Sequence, residues 1–439
     1  MKLDTKRTVL VGFAFLSICA FWQMYDNLVP LILTNTFHLN ETISGAIMAA
    51  DNVLALFLLP LFGGLSDKCQ SRLGRRRPFI LFGTLAAIVL MLQLPLYADS
   101  YHAAPSGGKI ALFICALGLL LVAMGTYRSP AVALMPDITP KPLRSKANAI
   151  INLMGAVGGI CYLLITTFLY HVKSDSYVSF FPLFAIVAGI MAVALAVVMF
   201  FVNEPELVKK QQEYESHHPE DDLTEHTAEG ESLPADVKRS LTFLLISISL
   251  WFVGYNGVST WFSVYAENIW GMSLGQANTC LTIATGGAIL SYIPIGSIAS
   301  SIGRRKTIRF GTLLLSGSFL CAFLLTMALK GFSPVLYLLV LLVGLAWAAI
   351  NVNSLPMVVE MCKGSEVGKF TGLYYTFSMS AQIVTPIVAG WLLRNVSYYS
   401  LFPYAAIFVF ASFITMGLVR HGDNKVVAKK GLEAYDVED

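Results

Sequence analysis

Two matching stretches decide the fold: GRRRPFILFG, residues 74–83, and GRRKTIRFG, residues 303–311. Each stretch lies between two apolar segments, and each begins with a glycine followed by a cluster of basic residues. They occupy the same point in the first and second halves of the chain, which indicates an internal repeat. A weaker repeat is also present, in which Asp137 and Lys146 of the first half correspond to Glu360 and Lys369 of the second half. Two matching halves of a membrane protein predict a binding site between them.

The composition identifies a membrane protein and excludes several functions. The chain has 439 residues, of which 56% are hydrophobic and 13% charged, whereas soluble domains carry about 25% charged residues. The net charge of +3 does not suggest a nucleic-acid partner. The seven cysteines lie far apart without metal-ligand spacing, so we expect no metal and no cofactor. No nucleophile, base and orienting acid lie at one depth, and an enzyme is therefore not expected.

The apolar segments predict an all-α membrane protein with twelve transmembrane helices in two pseudo-symmetric six-helix bundles. A spanning helix needs about 20 apolar residues, and twelve such segments are present. They begin near Val9, Ser44, Pro78, Lys109, Ala147, Phe180, Leu241, Gly275, Thr307, Pro334, Phe370 and Ser400. Most of the 30 lysine and arginine residues fall on one side if both termini are cytoplasmic. We therefore expect a multi-pass protein of the cell membrane, acting as a monomer in the lipid bilayer.

The same segments divide the chain into four parts. Residues 1–202 form the N-terminal bundle, 203–238 an acidic cytoplasmic linker, 239–420 the C-terminal bundle and 421–439 a cytoplasmic tail. The linker contains eleven acidic residues and almost no large apolar ones. Such a composition predicts disorder.

The loop after the second span makes the chain recognisable. Its sequence, GGLSDKCQSRLGRRRPFI at residues 63–80, resembles the major facilitator superfamily, and in particular the plant sucrose transporters and their glycoside/cation symporter relatives. A second stretch, YRSPAVALMPDITPKPLRSKANAIINLMGAVGG at residues 127–159, resembles the same group. The resemblance implies secondary transport by alternating access, with a sugar as the small-molecule substrate. The specific motifs occur only in the first half.

Two acidic residues lie inside predicted spans, where a charge is costly. At 1.5 Å per residue, Asp26 lies about 26 Å from the start of the first span, and Asp51 lies about 24 Å above Asp67. The two acids are at similar depth and could share a cavity. We interpret them as candidates to bind the coupled ion, a proton or alternatively Na⁺. Each could instead be a satisfied structural residue.

Arg128 lies about 13 Å above Asp137, near the middle of the fourth span. By resemblance it matches the family arginine that contacts sugar hydroxyls, and alternatively it pairs with an intramembrane acid. The plant transporters carry an acid earlier in this span, at the position of Leu117. Proton coupling has therefore moved to Asp26 or Asp51, or the protein is an uncoupled facilitator.

Further polar and aromatic side chains in the spans suit a polyhydroxy ligand. The candidate substrate residues are Arg128, Trp22, Gln23, Tyr25, Asn256, Asn351, Asn353 and Gln382. Helix packing and interhelical hydrogen bonding are the alternative roles.

Charged residues at the cytoplasmic ends of the spans are candidates for gating, because ion pairs there can latch the two halves together. These are Asp67, Arg75, Arg76, Asp137, Arg144 and Glu360. Each arginine could instead serve only to fix topology. The sequence thus favours a proton-coupled sugar or glycoside importer. The rivals are an exporter of drugs or metabolites, an uncoupled facilitator and a non-transporting receptor.

Overall fold

The computed structural model describes residues 4–140, 143–171, 177–217, 233–329, 332–361 and 367–423. Within these ranges the regular structure is helical, without strands. The helices are α1 (Thr5–Leu31), α2 (Glu41–Asp67), α3 (Arg77–Ala103), α4 (Gly107–Ile138), α5 (Arg144–Leu169), α6 (Phe181–Phe201), α7 (Glu204–His217), α8 (Ala235–Trp270), α9 (Leu274–Ile302), α10 (Arg304–Leu329), α11 (Val335–Val359), α12 (Val367–Asn395) and α13 (Leu401–Met416).

Twelve segments, one for each helix except α7, are long and apolar enough to cross a membrane, and the last of them comprises α13 with the turn before it, Tyr398–Met416. The predicted all-α architecture with twelve spans is therefore confirmed. The start of α9 shows how the sequence sets one boundary: the Ser273 hydroxyl accepts from the Gln276 backbone N–H, and the Gln276 side chain accepts from the Ser273 N–H. This reciprocal capping satisfies two of the donors that a helix start leaves free.

The chain divides into two compact units, Met1–Leu39 with Ala50–Asp222, and Asn40–Ala49 with Leu223–Asp439. In the first unit α1 packs on α5 and α6, and α3 packs on α4 and α6. In the second unit α8 packs on α12 and α13, and α10 packs on α11 and α13. The two halves of the sequence therefore repeat one packing scheme.

The start of α2 groups with the second unit, which the sequence division did not anticipate. The Tyr398 hydroxyl bonds to the Glu41 carboxylate. A Cβ added at Gly45 would lie 2.1 Å from the Pro386 carbonyl oxygen. Small side chains thus let this segment lie directly against α12.

Close backbone approach also joins the main helix pairs. A Cβ at Gly158 of α5 would lie 2.0 Å from the Leu16 carbonyl oxygen of α1, and one at Gly344 of α11 would lie 1.9 Å from the Ala284 carbonyl oxygen of α9. Only glycine fits at such separations, and small residues at contacts are typical of membrane helices.

The predicted disorder of the linker is wrong for its first part. Residues Glu204–His217 form helix α7, and α8 already begins at Ala235. The reason is local anchoring, since Glu204 is 1% exposed and Leu207 6% exposed. Residues 218–232, which include most of the acidic cluster, lie outside the described ranges.

Candidate functional site

Two tyrosines hold α1 in place within the first unit. The Tyr127 hydroxyl of α4 donates to the Ala14 carbonyl at 2.8 Å and also bonds to the Ser17 hydroxyl. The Tyr162 hydroxyl of α5 donates to the Asn27 side-chain oxygen at 2.8 Å. All three oxygens on α1 belong to buried residues. These bonds fix the rotation of α1 about its axis. They therefore set the direction of its polar face, which carries Trp22, Gln23, Tyr25 and Asp26.

That polar face meets the arginine of α4. The Arg128 guanidinium carbon lies 5.6 Å from the centre of the Trp22 ring. This distance is within the range of a cation–π interaction, which strengthens where water is excluded. No ion pair joins Arg128 to Asp26 or Asp51 among the described residues. The aromatic ring, rather than a carboxylate, is therefore its contact.

The two intramembrane acids belong to the same group of residues. The charges of Asp51 and Arg128 both act on the Asp26 carboxyl, and that of Arg128 also acts on Asp51. Asp26 is exposed, whereas Asp51 is half-buried and accepts bonds from the Asn52 backbone N–H at 2.6 Å and its side-chain amide at 2.7 Å. The structure thus brings together the three charges that the sequence placed at separate points of the chain.

Two polar atoms beside these charges have no hydrogen-bond partner among the described residues. They are the Trp22 indole nitrogen and the Tyr25 hydroxyl, both buried from solvent. Gln23 is half-buried, and its side-chain oxygen faces Gly159 of α5. A buried polar group without a partner is costly. Such groups are therefore suited to bind a polar ligand.

In the second unit the predicted polar residues have varied surroundings. The Asn256 side-chain nitrogen is buried without a partner. Asn353 is buried and donates to the Ala349 carbonyl of its own helix at 2.9 Å. Asn351 and Gln382 are half-buried. Asn256 thus has a donor free for a ligand, whereas the Asn353 amide already has an internal bond.

An aromatic stack in this unit escaped the sequence analysis. The rings of Tyr255 and Trp347 lie 3.7 Å apart and 7° from parallel. Phe252 meets Trp347 edge-on at 5.4 Å and Tyr374 at 6.4 Å. Trp347 occurs within an apolar run, where no local signal distinguishes it from a packing residue. The cluster joins α8, α11 and α12.

The gating candidates of the first unit form one network. Arg75 pairs with Asp137 at 2.8 Å. Arg76 pairs with the same carboxylate at 2.8 Å and also with Asp67. Burial lowers the pKa of Arg76, but its hydrogen bonds and charge contacts with Asp137 and Asp67 outweigh burial and raise that pKa overall. The guanidinium is therefore held charged at 5% exposure.

Glu204 completes this network and was missed by the sequence analysis. Its carboxylate accepts from the backbone N–H groups of Arg75 at 2.8 Å, Arg76 at 2.9 Å and Arg77 at 3.0 Å. These are unpaired donors at the start of α3, where a negative charge is favoured. The available signal was the Glu204-Pro205 pair directly after the sixth span, because proline is common in the first turn of a helix.

The second unit contains a similar arrangement. Arg304 pairs with Glu360 through its side chain, and its backbone N–H donates to the Asp423 carboxylate at 2.6 Å. Asp423 thus has the place at α10 that Glu204 has at α3. Among the described gating candidates, every ion pair joins elements of a single unit. The Arg144 backbone begins α5, but its side chain lies outside the described residues.

Comparison with known proteins agrees with this architecture. A sequence model of the Major Facilitator Superfamily matches residues 11–274 and 265–434. The sucrose transport protein SUC3 of Arabidopsis thaliana is 32% identical over 145 residues, which cover 30% of this chain and 24% of that protein. YagG of Escherichia coli, provisionally named a glycoside/cation symporter, is 28% identical over 191 residues, which cover 42% of this chain and 40% of that protein. The similarity thus spans well under half of each relative.

Solved structures show the same fold. The inward-open xylose transporter XylE of E. coli has a TM-score of 0.67 at 15% identity, with 95% of this chain and 96% of that chain covered. A POT family transporter in complex with 5-aminolevulinic acid has a TM-score of 0.69 at 11% identity, with 94% of each chain covered. At these identities the likeness concerns the fold alone. Because the family model covers nearly the whole chain and the described helices build this fold, the chain belongs to the major facilitator superfamily of membrane transporters.

Proposed function

We propose that this transporter imports a sugar or glycoside together with a proton, and that it works by alternating access in the cell membrane with both termini in the cytoplasm. The observation that carries the proposal is the group formed by Trp22, Tyr25, Asp26, Asp51 and Arg128 inside the spans of the first unit. The names of the relatives support the substrate class, since they are sucrose transport proteins and a glycoside/cation symporter, and the second name also supports cation coupling.

The charges of this group provide a reason for coupling. Two carboxylates and one guanidinium leave one net negative charge when both acids are ionised. A net charge inside the membrane costs about 3 kcal/mol or more on insertion scales. One proton on Asp26 or Asp51 makes the group neutral. The transporter that carries both substrate and proton therefore changes conformation more easily than the transporter that carries substrate alone. Na⁺ would have the same electrostatic effect, and the uptake experiment described below distinguishes the two ions.

The free donors match a polyhydroxy substrate. The Arg128 guanidinium has five N–H groups and is always charged. With one face against Trp22, it presents its edges to hydroxyl oxygens. The Trp22 indole and the Tyr25 hydroxyl add donors, and Asn256 adds another in the second unit. Gln23, Asn351 and Gln382 are further proposed contacts. The Tyr255–Trp347 stack offers the flat apolar surface on which a sugar ring packs.

The cytoplasmic networks are proposed to act as gates. Asp67, Arg75, Arg76 and Asp137 hold together the cytoplasmic ends of α2, α3 and α4, and Glu360 with Arg304 does the same for α10 and α11. Arg144 remains a proposed member. Because each network stays inside one unit, it keeps the end of that unit rigid.

Uptake by proteoliposomes tests the proposal. We expect one labelled mono- or disaccharide to accumulate above its external concentration under an inward proton gradient, and accumulation to stop when a protonophore dissipates the gradient. Arg128→Ala should abolish uptake, whereas Lys109→Ala, a basic residue that caps α3 outside this group, should not. Accumulation driven by Na⁺ at equal pH would replace the proton with sodium. Failure of every sugar to move would leave export of another solute as the leading function.

An uncoupled facilitator is the second candidate, because one observation favours it. Leu117 of α4 is 2% exposed and apolar, at the position where the resembling plant transporters carry an acid. A facilitator would equilibrate the sugar across the membrane without accumulation, under any gradient. The same uptake experiment separates the two functions.

A further inference from the structure

The second unit contains an apolar cavity whose wall shares only Tyr255 with the residues proposed to contact the sugar. It lies among α8, α9, α10, α11 and α13 and has a volume of about 60 Å³. Its walls include Phe262, Trp270, Cys280, Phe319, Leu336 and Phe402. Because about 10–15 Å³ holds one water-sized group, this space admits a few carbon atoms of a chain and not a whole sugar.

The polar groups of the wall are already bonded elsewhere. The Ser318 hydroxyl donates to the Leu314 carbonyl at 2.8 Å, and that of Ser259 donates to the Asn256 carbonyl at 3.3 Å. The Trp270 indole N–H donates to the Thr326 hydroxyl at 3.1 Å. Water or a sugar inside the cavity would find few partners, and apolar cavities of this kind stay dry. The chemistry of the wall therefore selects an apolar ligand.

The cavity is enclosed by membrane-spanning segments. Every wall residue named above belongs to a membrane-spanning segment. The two helices that contribute Phe319 and Leu336 also carry exposed apolar side chains, among them Leu324 and Leu338, each 55% exposed. Exposed leucines on spanning helices are the surface that acyl chains contact. The commonest apolar molecule near the cavity is therefore a bilayer lipid.

We propose that this cavity binds the apolar end of an acyl chain from a bilayer lipid. The contribution to affinity is packing, because the wall atoms of an empty cavity lack neighbours on one side and gain dispersion contacts when the space is filled. No charged residue of the wall engages a headgroup, so the ligand is defined by its chain and not by its headgroup. Tyr255 forms part of the wall and also stacks on Trp347, so an inserted chain touches one ring of that stack.

Photolabelling of the full-length protein in vesicles tests this site. The vesicles contain phosphatidylcholine with a diazirine at the end of one acyl chain, and labelled positions are mapped by mass spectrometry after illumination. We expect insertion at buried wall residues such as Cys280 and Phe319. Ala322→Phe, which fills the cavity from α10, should abolish labelling there. Ala328→Phe, an equal enlargement of an exposed side chain on the same helix, should leave it unchanged.

Two results would overturn the proposal. One is labelling confined to exposed positions such as Leu324 and Leu338, which would mean that lipid only surrounds the unit. The other is labelling of buried wall residues that persists at full strength in Ala322→Phe. If Ala322→Phe does not fold, Ser318→Leu fills the same space and gives the same comparison. The readout is covalent labelling, so failure of the sugar proposal would not affect it.

Discussion

The guanidinium of Arg128 lies 5.6 Å from the centre of the Trp22 ring and forms no salt bridge with the two acids of its own group. An arginine paired with a carboxylate has its N–H groups occupied, and a ligand must break that pair to bind. An arginine that rests on an aromatic face keeps the edge of its guanidinium available. This relationship makes Arg128 a ready donor for a substrate, and several measurable consequences follow for variants of the protein.

Arg128→Lys should weaken substrate binding although the charge is retained. An ammonium group cannot reproduce the planar donor array or its stacking on Trp22. We expect the apparent affinity for the transported sugar to fall about tenfold, which corresponds to about 1.4 kcal/mol. Binding measured by tryptophan fluorescence or calorimetry checks this. Lys109→Arg is the control, and unchanged affinity in Arg128→Lys would exclude a substrate contact by the guanidinium.

Asp26→Asn and Asp51→Asn, made separately, should identify the proton site. At least one of them should lose accumulation driven by a pH gradient while it still exchanges labelled for unlabelled sugar, because exchange needs no net proton movement. The control is Asp99→Asn, which changes an acid that bonds to Tyr177 and Ser179 instead of the proposed site. Normal gradient-driven accumulation in both variants would contradict coupling through these acids.

Asp67→Ala should slow transport without preventing binding. The Asp67 carboxylate bonds to Arg76, whose side chain is 6% exposed, at the C-terminal end of α2. Its loss loosens this end and removes the surface that the proposed gate needs. We expect a large fall in the maximal uptake rate with equilibrium binding of substrate retained. Glu213→Gln, a change of an exposed acid on α7, should leave the rate unchanged, and loss of binding in a folded Asp67→Ala protein would argue against a gate.

Glu204→Gln should destabilise the first unit. The carboxylate accepts three backbone N–H groups at the start of α3, and an amide has one fewer acceptor atom and no negative charge. Loss of hydrogen bonds to a buried charge costs about 1–3 kcal/mol, so the melting temperature in detergent should fall by several degrees. Glu206 of the same helix is exposed and pairs with Lys210 and Asn203, so Glu206→Gln should melt like the unchanged protein. Equal melting of both variants would refute the capping role.

Gly158→Ala should also destabilise the protein, because the added methyl group would lie 2.0 Å from the Leu16 carbonyl oxygen. Enlarging a residue in a close-packed contact costs about 1–3 kcal/mol. Gly189 of α6 has no atom within 4 Å of an added Cβ, and Gly189→Ala should be neutral or slightly stabilising. Thermal melting of the two variants side by side measures the difference. A Gly158→Ala protein as stable as Gly189→Ala would mean that α1 and α5 separate without cost.

The sequence was sufficient to predict the number and type of spans, since a run of about 20 apolar residues is characteristic of a transmembrane helix. It also placed Asp26, Asp51 and Arg128 correctly as charges inside the spans. Their assembly into one group could only be expected, because helical periodicity gives the depth of a residue but not the direction in which its helix is rotated. That rotation is set by long-range bonds such as those of Tyr127 and Tyr162.

The features that sequence reasoning missed depend on contacts between distant parts of the chain. Glu204 lies among acids that look equally solvated in the sequence, and only its position beside the start of α3 distinguishes it from Glu206. Asp423 has the same relation to α10. In the sequence nothing distinguishes Trp347 from an aromatic residue that packs between helices. Only the structure shows that its ring is parallel to the ring of Tyr255. For such residues the deciding partner is more than 60 positions away.

The anchoring of Glu204 determines where this protein can be divided into separately expressed halves. A break directly after the sixth span at Phe201 would remove the acid that completes the start of α3, although it would spare every transmembrane helix. A first fragment that continues through α7 keeps that carboxylate and the buried Leu207 attached to their own bundle. The functional end of the first half thus lies beyond its last membrane crossing.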